Sequence, residues 1–165
     1  MDITIILQMI GGLVLFLYGI QYLGDSLKKV SSGRLEKILE TLTSNKWKAA
    51  LLGMLVTALI QSSGATIVMC VGFVNSGIMS LTQSVGVILG ANIGTTITAV
   101  LAALGTNRYA KQAAAAHVLF NLLGVAIFLS FLPFYKLVVV QTASDVGRQL
   151  ANAHTIFNIV NTIIF

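Results

Sequence analysis

Between Lys48 and Arg108 the chain carries no Asp, Glu, Lys, Arg or His, a run of 59 residues. Leu, Ile, Val, Ala and Gly fill most of it. A water-soluble domain carries charge on roughly a quarter of its residues, and here the share over the whole chain is 9%. A run this long without charge suits a bilayer. Two clusters of small polar residues interrupt it: Gln61-Ser62-Ser63-Gly64-Ala65-Thr66 and Gly90-Ala91-Asn92-Ile93-Gly94-Thr95-Thr96. In hydrocarbon such groups are costly unless they line a protein-walled or watery site. The expected class is an all-α integral membrane protein. A β-barrel would need ~10-residue stretches alternating apolar and polar residues, and the apolar runs here do not alternate.

Charge placement indicates the watery segments. Six of the ten basic residues (Lys28, Lys29, Arg34, Lys37, Lys46 and Lys48) lie in one short interhelical segment. That pattern marks a cytoplasmic loop under the positive-inside rule, so the net charge of +5 is not read as nucleic-acid binding. Cys70 stands alone in an apolar run and is read as a small buried hydrophobe. Met1-Asp2 has no basic n-region, so the first apolar run is expected to be a retained helix rather than a cleaved signal.

In chain order, residues 3–24 are uncharged and long enough to span, with Gly11, Gly12, Gly19 and Gly24 suited to close helix packing. Residues 25–48 form an interfacial amphipathic segment: Leu35, Ile38, Leu39 and Leu42 recur at helical spacing among charged residues. Asn45 suits an N-cap and Trp47 an interfacial anchor. Residues 49–77 hold two apolar halves, each too short to span alone. They form either one span with a polar middle or a re-entrant helical hairpin, and the hairpin is favoured. Its tip would be Gln61 to Gly64, with Gly64 giving the chain freedom to turn and Asn75-Ser76-Gly77 as the exit. Residues 78–104 predict a discontinuous helix, broken at Gly90–Gly94 and restarting at Thr95-Thr96. Residues 112–135 and 149–165 are further candidate spans. Pro133 closes the first near its end, and Lys136 to Arg148 hold a loop in which Ser144-Asp145 suits a cap. The pattern A-H-x-x-F-N occurs twice, at Ala116–Asn121 and Ala153–Asn158. Each pair puts His and Asn on one helix face and predicts interhelical hydrogen bonding rather than a metal site, with a role near the transport path as the alternative.

Paired half-helices have a specific chemistry in a membrane. A helix start offers unpartnered N–H groups and the positive end of a dipole, which suit an anion. A helix end offers carbonyls, which with hydroxyls suit a cation such as sodium. Ser62, Ser63, Thr66, Thr95 and Thr96 add hydroxyls, and Gln61 and Asn92 add amides that donate or accept. Tight packing of small residues is the competing explanation for the same composition.

At these residues the chain resembles the sodium/phosphate cotransporter family that includes the type II sodium-dependent phosphate transporters. The likeness is carried by Thr57–Ser63, by Val71-Gly72-Phe73-Val74-Asn75-Ser76-Gly77, and by Gly86 to Thr96; Gly12–Gly19 and both A-H-x-x-F-N segments share it. The resemblance implies sodium-coupled uptake of phosphate, with the Gln-Ser-Ser motif at a re-entrant tip. Ser62, Ser63, Gly64, Ala65, Asn92, Gly94, Thr95 and Thr96 are the expected phosphate-site residues. Gln61, Ser62, Ser63, Thr66, Asn92 and Thr95 are those expected for sodium. In the family, Gln is usually followed by three serines; here the third is Gly64. Members normally carry two inverted repeats, whereas this chain carries one hairpin motif and one Gly-Ala-Asn segment. Its front resembles the first repeat, and residues 105–165 resemble what usually follows the second.

One repeat leaves half of such a site unbuilt, which predicts a homodimer. The light basic bias outside residues 28–48 permits protomers of opposite orientation. The expectation is therefore a multi-pass plasma-membrane symporter working by alternating access, with sodium as coupling ion, no other metal or cofactor and no enzymatic step. The competing classes are a non-transporting interaction subunit, a truncated half of a longer transporter, and a sodium-independent anion channel.

Overall fold

The computed structural model describes residues 2–30 and 33–165 of the protein. Gly24, Lys28 and Arg34, named above for packing and charge, lie outside the residues whose surroundings are described. Eight helices follow one another, with no strand among the described residues: α1 (Ile3–Val30), α2 (Gly33–Leu42), α3 (Lys46–Ile60), α4 (Ser63–Asn75), α5 (Leu81–Ala103), α6 (Arg108–Ser130), α7 (Leu132–Val140) and α8 (Val146–Ile164). Two of them, α5 and α6, are long and apolar enough to cross a membrane. Helix α1 continues past residue 24 through Asp25 and Lys29 to Val30, because neither Gly24 nor the charges after it supply a stop.

Side-chain caps set most of the helix starts. The Asn45 side chain accepts from the N–H groups of Trp47 (3.0 Å) and Lys48 (2.9 Å). Asp145 accepts from the Arg148 N–H at 2.8 Å. Ser80 and Gln83 form a reciprocal capping box at the start of α5, and Asn107 caps α6 through the Ala110 N–H. Each such cap is worth ~1 kcal/mol. Helix α4 ends at Asn75, and Gly77 turns the chain with φ +75°.

Helix α5 is the centre of the fold. Val85 through Asn92 are all buried, and α3, α4, α6 and α8 pack around it. The predicted break at Gly90–Gly94 is absent: α5 runs unbroken from Leu81 to Ala103. The reason is packing. A Cβ on Gly90 would lie 1.8 Å from the Ala50 carbonyl oxygen, and one on Gly94 would lie 2.4 Å from that of Met54. From the other side, a Cβ on Gly53 would lie 1.9 Å from the Val87 carbonyl oxygen. The glycines weaken the helix locally, by ~1 kcal/mol each relative to Ala, yet let two backbones touch. The order of these contacts, Ala49–Gly86, Ala50–Gly90 and Met54–Gly94, makes α3 and α5 parallel.

The span expected over 112–135 is also divided differently. Helix α6 begins at Arg108 and ends at Ser130, and Pro133 sits in the first turn of α7 instead of closing α6. Proline is well suited there, where its missing N–H would have no helical partner. Helix α7 carries on through Lys136, expected in a loop, to Val140. An aromatic cluster holds α6, α7 and α8 together. Phe128 meets Tyr135 edge-on at 4.8 Å and Phe157 at 5.0 Å, a geometry favoured by the ring quadrupoles. The Tyr135 hydroxyl donates to the Ala153 carbonyl.

Candidate functional site

Helices α3 and α4 are joined by only Gln61 and Ser62. Gln61 adopts the left-handed conformation, φ 58° and ψ 29°, and its N–H donates to the Thr57 carbonyl at 2.6 Å. It is the one non-glycine with positive φ among the described residues. A long side chain held there costs ~1 kcal/mol or more, and such strain concentrates at functional sites. The turn therefore rests on Gln61 and not on Gly64, which lies inside the first turn of α4. A Cβ on Gly64 would meet only the Ser62 hydroxyl, at 3.9 Å.

Ser62 begins α4. Its hydroxyl accepts from the Ala65 N–H at 3.2 Å, and its carbonyl accepts from the Thr66 N–H at 3.2 Å. The N–H groups of Ser63 and Gly64 precede the helix's own ladder, as the first groups of any helix do. Gln61, Ser62 and Gly64 are exposed, and Ser63 and Ala65 half-buried. With the positive end of the α4 dipole, this turn presents donors of the kind that hold an oxyanion without Arg or Lys.

The second cluster offers something different. Because α5 is continuous, the N–H groups of Asn92 to Thr96 belong to a helix interior, and no helix restarts at Thr95. What α5 presents is side chains. Asn92 is buried; its Nδ2 donates to the Ile88 carbonyl at 2.9 Å, and its Oδ1 accepts from Asn158 Nδ2 at 3.1 Å. The Thr96 hydroxyl turns back to the Ile93 carbonyl at 2.7 Å, and Thr95 is half-buried. Gly94 is a contact surface for α3.

The two clusters meet through Thr57, a residue absent from the expected site. Its hydroxyl is 2.8 Å from that of Thr66, with both side chains buried. A Cβ on Gly94 would lie 2.8 Å from the Thr57 Cβ. Thr57 thus touches the first cluster at Thr66 and the second at Gly94. Among the described residues no hydrogen bond joins Asn92, Thr95 or Thr96 directly to Gln61–Thr66. The sequence signal for Thr57 was available: it lies four residues before Gln61, one turn back on the same helix face.

The two A-H-x-x-F-N segments behave unequally. Asn158 in α8 reaches Asn92, whereas Asn121 in α6 donates at 3.0 Å to the His117 carbonyl of its own helix. A separate polar cleft of about 390 Å³, lined by Glu40, Lys46, Ser80 and Gln83 among others, lies at the starts of α3 and α5. That is the opposite end of α3 from the Gln61 turn.

The class is an all-helical chain with two helices long and apolar enough to cross a membrane and a strained polar turn between two shorter helices. Comparison with known sequences gives the family: the chain belongs to the Na+/Pi-cotransporter family, whose model matches residues 15–158. An uncharacterized protein of Bacillus subtilis (strain 168), YqeW, is 39% identical over 188 aligned residues, covering 100% of this chain and 61% of its own length. Rat sodium-dependent phosphate transport protein 2A is 31% identical over 129 residues, covering 73% of this chain and 20% of its own. A putative inorganic phosphate export protein of Salmonella typhimurium, YjbB, is 31% identical over 94 residues, 57% of this chain and 17% of that protein. The chain therefore spans less than two thirds of the length of each of these relatives. No solved structure matches it.

Proposed function

We propose that the chain moves inorganic phosphate together with sodium across the plasma membrane, as a multi-pass protein working by alternating access. Helices α3 and α4, with 15 and 13 residues, are shorter than the ~20 a span requires, so the pair enters the bilayer as a re-entrant hairpin with Gln61 at its tip. Phosphate oxygens take the Ser63, Gly64 and Ala65 end of α4 and the hydroxyls of Ser62 and Ser63. The α5 face contributes through Asn92, Thr95 and Thr96, while Gly94 lets that face approach. Sodium takes the oxygens of Gln61, Ser62, Ser63, Thr66, Asn92 and Thr95. These are neutral groups, which bind an anion and a cation without the tight hold of a full opposite charge.

One observation carries the reading: in a member of the Na+/Pi-cotransporter family, the strained Gln61 turn and the start of α4 face outward, exposed. Left open to one side, they make half of a cavity. A second copy of the chain, related as one inverted repeat is to the other, supplies the remaining half. Reconstitution into proteoliposomes tests this. Labelled phosphate should accumulate under an inward sodium gradient and not under an equal potassium gradient. Uptake indifferent to sodium would make the protein a channel. A single protomer in the active particle would refute the paired site.

A further inference from the structure

The Asn92 amide is a two-ended group, and its two ends do different work. Its Nδ2 faces the Ile88 carbonyl at 2.9 Å. A carbonyl only accepts, so the nitrogen must point there and the oxygen must point toward α8. On α8, Asn158 Nδ2 donates at 2.8 Å to the carbonyl of His154 and at 3.1 Å to Asn92 Oδ1. Both hydrogens of that nitrogen are used, and the His154 carbonyl prevents the Asn158 amide from reversing. The two amides therefore lock one another through two backbone carbonyls. Asn92 is left with a buried oxygen that has accepted one hydrogen bond and keeps a second lone pair.

We propose that Asn158 is a positioning residue of the sodium site: the Ile88 carbonyl fixes which end of the Asn92 amide is the oxygen, and Asn158 pins that oxygen in the direction that meets the ion. This inference rests on the sodium-coupled reading above. Without Asn158 only the Ile88 carbonyl still holds the Asn92 amide, and its oxygen loses the α8 partner that sets the direction in which it meets the ion. The internal repeat provides a comparison. Asn121 occupies the same place in the A-H-x-x-F-N motif of α6, yet among the described residues it donates only to the His117 carbonyl of its own helix. A role general to the motif would make the two positions equivalent, whereas positioning of Asn92 makes only Asn158 matter.

The test uses the full chain. Sodium is titrated against two readouts, phosphate uptake into proteoliposomes and thermal stabilisation of the purified protein. Asn158→Leu should raise the half-saturating sodium concentration by roughly tenfold, a change on the scale of one lost orienting hydrogen bond, with phosphate half-saturation at saturating sodium unchanged. Asn158→Ser, whose hydroxyl is too short to reach Asn92, should do the same, and it carries the comparison should the leucine variant fail to fold. Asn121→Leu should leave the sodium response within about twofold of the wild type. Unfolding of Asn92→Ala, Asn158→Ala and the double variant should be non-additive. A wild-type sodium response that Asn158→Leu and Asn158→Ser leave unmoved overturns the inference alone. A wild-type chain that responds to sodium in neither readout overturns it together with the transport reading.

Discussion

Substituting Gly90 by Ala adds a single methyl group, and the surroundings determine its cost. The new Cβ would sit 1.8 Å from the Ala50 carbonyl oxygen, 2.5 Å from its carbon and 2.6 Å from its Cα. All three are backbone atoms of α3, so no rotamer change relieves the contact. Restoring ordinary contact at 3.4 Å requires α3 and α5 to separate by ~1.6 Å, against the grain of close packing. Overpacking of this kind costs about 1–3 kcal/mol, and more where backbone must move. Alanine returns ~1 kcal/mol of helix propensity. The net loss is about 2 kcal/mol, roughly a 30-fold fall in the folded-to-unfolded ratio, and a drop in melting temperature of about 4–8 °C. The same displacement moves Thr57, and with it the Thr66 hydroxyl, relative to Asn92. Misplacement of a site by ~1 Å can cost on the order of a hundredfold in rate, so phosphate uptake should fall further than stability. Gly12→Ala is the control, since no heavy atom lies within 4 Å of its Cβ; it should gain up to ~1 kcal/mol. Thermal unfolding in detergent and proteoliposome uptake read both effects. A Gly90→Ala protein that melts at the wild-type temperature and transports normally would refute the close-contact explanation of the α5 glycines.

Three further outcomes follow from particular contacts. Gly64→Ser places its Cβ in ordinary contact with the Ser62 hydroxyl alone, at 3.9 Å; it should fold with stability equal to or slightly above wild type, and sodium titration of uptake should show a lower half-saturation as a hydroxyl joins the α4 start. Thr57→Val keeps shape but removes the hydroxyl paired with Thr66 at 2.8 Å; it should lose ~1 kcal/mol in denaturant unfolding and weaken uptake, whereas a loss of stability with normal uptake would remove Thr57 from the site. Tyr135→Phe deletes the buried hydroxyl bond to the Ala153 carbonyl but leaves the aromatic cluster; it should cost ~1 kcal/mol with sodium dependence unchanged.

The helical character of the chain and its caps at Asn45 and Asp145 were legible because they depend on local chemistry: composition, apolar runs and side-chain acceptors next to helix starts. The boundary errors have one physical source. Glycine within an apolar run signals either a backbone break or a backbone contact, and only the neighbouring helix distinguishes them. At Gly90 and Gly94 it was contact with α3, so α5 stayed whole. At Gly64 it was neither, and the turn fell on Gln61, a residue for which no propensity predicts positive φ. Pro133 shows the same ambiguity, opening α7 where it was expected to close α6. In the candidate site, the types of residue at Gln61–Thr66 and Asn92–Thr96 stood out as polar groups in a charge-free run. Their connection did not, because Thr57 and Asn158 act through contacts across helices. The A-H-x-x-F-N repeat announced hydrogen-bonding asparagines without indicating that Asn158 alone would reach Asn92.

On the proposed reading, the Gln61 turn and the α5 side chains form a sodium-coupled phosphate site. Labelled phosphate uptake by purified, reconstituted chain, measured under opposed sodium and potassium gradients, tests it most directly. Accumulation that requires sodium, and that is lost in a Gln61→Ala, Ser63→Ala double variant which remains folded, is the expected result. Verified, correctly inserted dimers that show neither sodium-dependent uptake nor sodium-dependent phosphate binding would contradict it.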